Sequence, residues 1–274
     1  MRSSFLMEKM KAGANGLRLN QEFGKFVIMR KLLVFVLLVA MVIEFVGCRA
    51  ICQAFESEGR DPQAERKMNG VWCALGTSIT WYDINIDKSG GRITYGYPTY
   101  VMRKLKFDGY INRAVNGGCI VNQLGKVAKA DYYTIEHGIN DWGHSTAVGT
   151  IEDYRNDTRN GTFFATYRQL IDEIRMLNPE ATIIVCTPRK AYGFNGYLPE
   201  HWYLPKNGIK LEHYAVAVRE IAAEEGFSVA DFFKNSAWNE NQLRFLSMDE
   251  AMHPNDMGHA VLGNETLRAF ANVD

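Results

Sequence analysis

The chain has no net charge: Lys plus Arg balances Asp plus Glu, 31 against 31 in 274 residues. That balance excludes global attraction to nucleic acid or to any acidic polymer. Cysteine is scarce, with five residues at positions 48, 52, 73, 119 and 186. An odd number at wide spacing argues against a disulfide framework, and no C-x-x-C pair points to zinc. Cys73 and Cys186 sit inside apolar runs and are expected to act as small buried hydrophobes. Internal repeats and low-complexity tracts are also missing. The longest uninterrupted apolar run, Leu32 to Ile43, has 12 residues, short of the ~20 that a membrane-spanning helix needs. What is present is a composition 47% hydrophobic and 23% charged, which supports a packed core and not a disordered chain.

The short apolar run follows Met29-Arg30-Lys31 and precedes Glu44-Phe45-Val46-Gly47-Cys48. A basic start, an apolar stretch and a small residue before a boundary describe an export signal. Phe45-Val46-Gly47-Cys48 also has the form of a bacterial lipobox, in which cleavage before Cys48 leaves its thiol to carry lipid. A plain secretory signal or an uncleaved anchor is the alternative. The layout expected is a signal or anchor over 1–48 with the true start at Met29, a polar tether over 49–68, and one domain over 69–274. The protein is then exported, as a cell-envelope lipoprotein or a secreted product, and meets membrane only through that N-terminus.

Beyond the tether, apolar runs alternate with amphipathic stretches. Strands are expected at Val71–Leu75, Tyr110–Val115, Asp131–Glu136, Thr182–Thr187 and Phe227–Ala230. Helices are expected between them: around Tyr97–Lys106, through Phe163, Tyr167, Leu170, Ile174 and Leu177, through Tyr214, Val218, Ile221 and Ala222, and finally through Ala260, Gly263, Leu267 and Phe270. The basic run Arg103–Lys106 reads as a solvated helix face. Strands alternating with helices imply an α/β fold with a parallel sheet covered on both faces. Such sheets bind ligands outside the carboxyl ends of their strands, so chemistry should follow the strands.

It does. Gly76-Thr77-Ser78 follows the first strand, Asn116-Gly117-Gly118 the second and Gly138-Ile139-Asn140-Asp141 the third. Asp249, Glu250 and His253 follow the fifth. A hydroxyl, a base, a carboxylate and donors for an oxyanion are the parts that acyl transfer requires. Serine becomes nucleophilic when histidine takes its proton, and a carboxylate orients the imidazole. Gly117, Asn140 and the backbone N–H of Ser78 are the candidate oxyanion donors. Each piece alone has an ordinary structural reading, as a helix cap or a turn; their ordered placement after successive strands is what carries the argument. G-x-G-x-x-G and G-x-x-x-x-G-K-[ST] are both missing after the first strand, against a dinucleotide or nucleoside-triphosphate site. His253 and His259 are six apart, not a zinc spacing.

These blocks resemble those of the SGNH (GDSL-type) hydrolase family over roughly residues 70–272. Gly76-Thr77-Ser78 is similar to its Gly-Asp-Ser block, with Thr77 in place of Asp. Gly117 matches the second block's glycine, and Gly138-Ile139-Asn140-Asp141 matches the third in full. His253-Pro254 matches the last, with Glu250 standing at the acid position. The resemblance implies a three-layer α/β/α sandwich with a flavodoxin-like parallel sheet, here five-stranded, and ester hydrolysis without metal or cofactor. For the acid behind His253, Glu250 is favoured by register, with Asp249 as the alternative.

The substrate is expected to be a small-molecule or carbohydrate ester, with short acyl groups such as O-acetyl. Tyr192, Phe194, Tyr197, Trp202 and Tyr203 follow the fourth strand and are candidates to line the site by stacking on sugar rings. An acyltransferase or a catalytically inactive carbohydrate-binding relative on the same fold stays open, as does a flavodoxin-like binding module.

Overall fold

The computed structural model describes residues 66–191, 208–249 and 252–273. Five strands form one parallel sheet: β1 (Arg66–Gly76), β2 (Leu105–Asn112), β3 (Tyr132–Glu136), β4 (Thr182–Cys186) and β5 (Ser228–Ala230). Their order across the sheet is β2-β1-β3-β4-β5, so the direction of winding reverses between β1 and β3. In doubly wound sheets such a reversal opens a crevice at the carboxyl edge, where ligands bind.

The register aligns that edge. Gly76 of β1 pairs with Glu136 of β3, Glu136 with Cys186 of β4, and Cys186 with Ala230 of β5. The segments that leave the sheet at 77, 137, 187 and 231 therefore start from one level. The central strands are largely apolar where they cross the core, with Trp72, Leu75, Tyr133, Ile135, Ile184 and Val185 all buried, as sheets covered on both faces require. The Trp72 indole donates to Thr134 Oγ1 at 3.2 Å, which satisfies its one polar atom inside the core.

Helices cover both faces. On one lie α2 (Tyr97–Met102) and α9 (Asp256–Ala271), packed together. On the other lie α4 (Ile151–Arg155), α5 (Phe163–Leu177) and α6 (Leu211–Glu225). Short helices α1 (Ser78–Trp81), α3 (Ile139–Gly143), α7 (Phe232–Asn235) and α8 (Glu240–Phe245) occupy the rim and its surroundings. Helix α5 starts at Thr162, whose hydroxyl accepts the Ala165 N–H at 3.3 Å, and ends at Asn178, before Pro179. Its Phe163, Tyr167, Leu170 and Ile174 are buried as their spacing predicts, whereas Leu177, in its last turn, is 39% exposed. Among the described residues no helix is long and apolar enough to cross a membrane.

Four boundaries differ by more than one residue from those expected, among them the end of β2, at Asn112 and not Val115. Strand β1 begins at Arg66, inside the stretch read as tether, and the Arg66 guanidinium donates to the carbonyl of Val273 at 3.2 Å. Helix α2 ends at Met102, and Leu105-Lys106 opens β2. The reason is that β2 is an edge strand: Leu105 and Phe107 turn inward while Lys106 and Asp108 are exposed, an alternation of period two and not an apolar run. The basic run is accordingly not a helix face, and Arg103 lies 4.0 Å over the Tyr95 ring. Cys73, Cys119 and Cys186 are free and buried; burial pushes the Cys73 and Cys119 thiols up to about 11. Cys48, with the whole signal and lipidation reading, lies outside the described residues.

Candidate active site

Strand β1 delivers Gly76 into a tight turn. A Cβ at Gly76 would stand 2.5 Å from Thr80 Oγ1 and 3.0 Å from Glu136 Oε2, so this level of the turn admits only glycine. Thr77 follows as the cap of α1: its Oγ1 accepts the Ile79 N–H at 3.3 Å and donates to Glu136 Oε2 at 2.7 Å. The Thr77 N–H also donates to Glu136 Oε2, at 3.0 Å, and the Thr80 hydroxyl donates at 3.2 Å. One buried carboxyl at the end of β3 thus gathers the turn that holds Ser78. Burial raises the Glu136 pKa to about 7, against the lowering effect of the Thr77 and Thr80 bonds.

Ser78 is the first residue of α1 and is 6% exposed. Its Oγ lies 2.9 Å from His253 Nε2. On the far side of the ring, Nδ1 donates to Asp249 Oδ2, and the His253 backbone N–H donates to Asp249 Oδ1 at 2.6 Å. The imidazole is therefore held from both ends by groups 175 and 4 residues away in the chain. The Tyr82 ring packs edge-on against it, with centroids 5.3 Å apart.

The carboxylate that meets His253 Nδ1 is Asp249, the alternative of the two candidate acids. Glu250, the acid favoured by register, lies outside the described residues. The extra residue that Asp249 requires is absorbed by a closed loop. Met252 N–H donates to the Asp249 carbonyl at 3.2 Å, Met248 N–H to the His253 carbonyl at 2.9 Å, and Ser247 bridges to Pro254.

Arg189, which the sequence reading missed, pins this loop. It follows β4 and is completely buried. Its guanidinium donates to the Met252 carbonyl and to Ser247 Oγ, both at 2.8 Å, and to the Leu246 carbonyl at 3.2 Å. Burial lowers its pKa to about 9, and the negative charge of Asp249 counteracts this. The signal in the sequence was an arginine directly after an apolar strand, in Thr187-Pro188-Arg189, where a buried cation must serve fixed acceptors.

Gly117 has a φ of +68°, and a Cβ there would meet nothing within 4 Å. Glycine suits this left-handed backbone conformation. The Asn140 side chain donates to the Gly118 carbonyl at 3.1 Å, and both carboxylate oxygens of Asp141 accept the Ile120 N–H, at 3.1 and 3.2 Å. The loops after β2 and β3 are tied together by these bonds. Asp141 is buried, which raises its pKa to about 6.

Two buried histidines have structural partners. His259 Nδ1 accepts the Tyr97 N–H at 3.2 Å, and His137 Nε2 faces Gln123 Oε1 at 3.3 Å. Burial depresses both to about 3. Among the described residues no His, Cys, Asp and Glu side chains gather in a group of three that could hold a metal ion. Tyr192, Phe194, Tyr197, Trp202 and Tyr203 all lie outside the described residues. A cleft of about 520 Å³ opens at the end of α1, lined by Trp81, by residues 112–116 and by residues 125–127.

Known proteins share this fold. A possible lipase from Chitinophaga pinensis DSM 2588 is 27% identical, with 74% of this chain and 98% of that one covered at a TM-score of 0.64. A protein from Lactobacillus plantarum is 18% identical, covering 74% and 97% at 0.60. A member of the lipolytic protein G-D-S-L family from Veillonella parvula DSM 2008 is 16% identical, covering 75% and 100% at 0.50. No curated protein matches the chain in sequence. Over residues 74–261 the sequence matches the GDSL-like Lipase/Acylhydrolase family, and the chain belongs to that family of ester-hydrolysing enzymes.

Proposed function

We propose that the protein is a serine esterase that removes short acyl groups, O-acetyl on carbohydrate in particular, through an acyl-enzyme on Ser78. The observation that carries this reading is the continuous line from Ser78 Oγ to His253 Nε2 at 2.9 Å, and from His253 Nδ1 to Asp249. Ser78 Oγ attacks the ester carbonyl while Nε2 takes its proton. Asp249 keeps the tautomer that leaves Nε2 free to accept, and stabilises the imidazolium that forms. The negative charge on the tetrahedral oxygen falls to the Ser78 and Gly117 N–H groups and the second N–H of Asn140, the first being committed to Gly118. The imidazolium returns its proton to the leaving alcohol. Water then repeats the sequence and frees Ser78.

The polar character of the cleft at the end of α1, with Asn112, Arg113, Asn116 and Lys126 on its walls, supports a hydrophilic alcohol portion over a lipid. Ser78→Ala should fold normally and lose turnover of p-nitrophenyl acetate, measured with and without a sugar acceptor. A fluorophosphonate probe should label the parent at Ser78. Labelling at a different serine, or full turnover in the variant, overturns the assignment.

A further inference from the structure

The cleft at the end of α1 is built from three segments that the sequence does not join. Trp81 closes the helical turn that Ser78 opens, so the two side chains lie near one face of α1. The second wall, 112–116, extends β2 beside β1: the Arg113 N–H donates to the Ala74 carbonyl at 2.9 Å, and the Val115 N–H to the Gly76 carbonyl at 2.8 Å. That wall runs directly into Gly117. The third wall is 125–127. A chain of ring contacts leads from the cleft to the base: Trp81 to Tyr82 at 5.5 Å, and Tyr82 to His253 at 5.3 Å. The cleft and the nucleophile are therefore linked through helix α1 and the Tyr82 ring.

Its volume, about 520 Å³, falls within the ~300–1,000 Å³ typical of small-molecule sites. Its chemistry is specific. Arg113 and Lys126 are both exposed, and neither side chain has an ion pair or hydrogen bond among the described residues. One acid, Glu173, stands at the third wall, where both of its oxygens accept the Gly125 N–H, at 3.1 and 2.9 Å, so the two cations face a single carboxylate. Asn112 is fixed by its bonds to the Thr80 carbonyl at 2.8 Å and to Tyr110 Oη at 3.1 Å. In a chain of zero net charge, two unpaired cations on one cleft form a local positive site. The aromatic side chain of Trp81 lines the same cleft.

We infer that this cleft binds the alcohol portion of the ester, a sugar ring carrying a carboxylate: Trp81 stacks on the ring's apolar face, and Arg113 and Lys126 meet the anion. The inference rests on the esterase reading above and names the substrate class for the same site. An uncommitted guanidinium suits a planar carboxylate, which it can engage with two parallel N–H donors. An ammonium adds a second point of charge.

The test compares an O-acetylated galacturonate oligosaccharide with the matching O-acetylated galactose oligosaccharide, which lacks only the carboxylate. For the parent, kcat/KM should be about tenfold higher on the acidic substrate at low salt. The gap should narrow as ionic strength rises, because partly exposed charges are screened. The double variant Arg113→Gln/Lys126→Gln should bring the ratio of the two to near one, chiefly through KM. A ratio near one in the parent, or a ratio unmoved in the variant, overturns the inference. An acetylated sugar 6-phosphate provides the third arm; preference for it over the uronate would overturn the carboxylate as the anion. Calorimetric titration of deacetylated galacturonate oligosaccharide into Ser78→Ala reads binding without turnover. Binding that disappears with the cationic pair supports the cleft even if p-nitrophenyl acetate turnover, the check on the esterase reading, fails. No binding counts against it even if that turnover succeeds.

Discussion

One carboxylate, Asp249, holds both the ring and the main chain of His253. This dual bond makes the acid's identity testable with two variants. Asp249→Asn should lower kcat for p-nitrophenyl acetate by about 10²–10⁴-fold, since an amide can no longer favour the tautomer that accepts from Ser78. Glu250→Gln should change it by less than about twofold, within the range of a residue outside the relay. A large loss confined to the Glu250 variant would restore the register argument, and small losses in both would indicate a Ser-His dyad. The Thr77 departure from Gly-Asp-Ser also has a local meaning. Its hydroxyl donates to Glu136, a bond that an ionised Asp, being only an acceptor, cannot make.

At the scale of elements, the site depends on where strands end and on what holds the loops beyond them. The end of β1 and the block after β3 were legible in the sequence because each pairs an apolar strand with a glycine-containing turn. The edge strand β2 was misplaced because its alternating Leu105-Lys106-Phe107-Asp108 shows the period of one buried face and not of two. The contact between Asp249 and His253 was not legible for a different reason: register along a sequence does not reveal a loop closed by its own backbone bonds. Nor does sequence show that Arg189, some sixty residues before His253, reaches that loop. Arg189→Met should leave the carbonyls of Leu246 and Met252 without their buried donor and let the loop drift. A displacement of about 1 Å at a catalytic group costs on the order of 10²-fold in rate. The expected outcome is a kcat reduced about ten- to a hundredfold, with slower fluorophosphonate labelling of Ser78 and an unchanged far-UV circular dichroism spectrum. A lower melting temperature with unchanged kcat and labelling would reduce Arg189 to a purely structural residue.

Across the whole molecule, the rim buries ionisable groups of opposite response to pH. Glu136 is raised from 4.5 to about 7 and Asp141 from 3.8 to about 6, both by burial. His137 and His259 are lowered from 6.5 to about 3, again by burial. For the two carboxyls the folded state binds protons more tightly than the unfolded chain. Their contribution to stability is complete below the unfolded value and is lost as pH rises through the folded one. The histidines act in the other sense: their contribution is complete above 6.5 and is lost as pH falls towards 3. The parent's stability curve mixes these slopes, so the difference between parent and variant is the informative quantity. Glu136→Gln keeps an oxygen to accept the Thr77 and Thr80 donors and cannot ionise. Its second group, an amide, meets the buried position where Glu136 Oε1 has no partner, a cost that does not change with pH. Relative to the parent, the variant should therefore gain stability steadily between about pH 4.5 and 7, with no further gain above that window. Urea midpoints at pH 5 and pH 8, with equal m values, measure the gain. A parent–variant difference that is the same at both pH values would mean that Glu136 keeps an ordinary carboxylate pKa beneath Ser78, and a change in the parent's favour at pH 8 would mean that its ionised form is stabilised there.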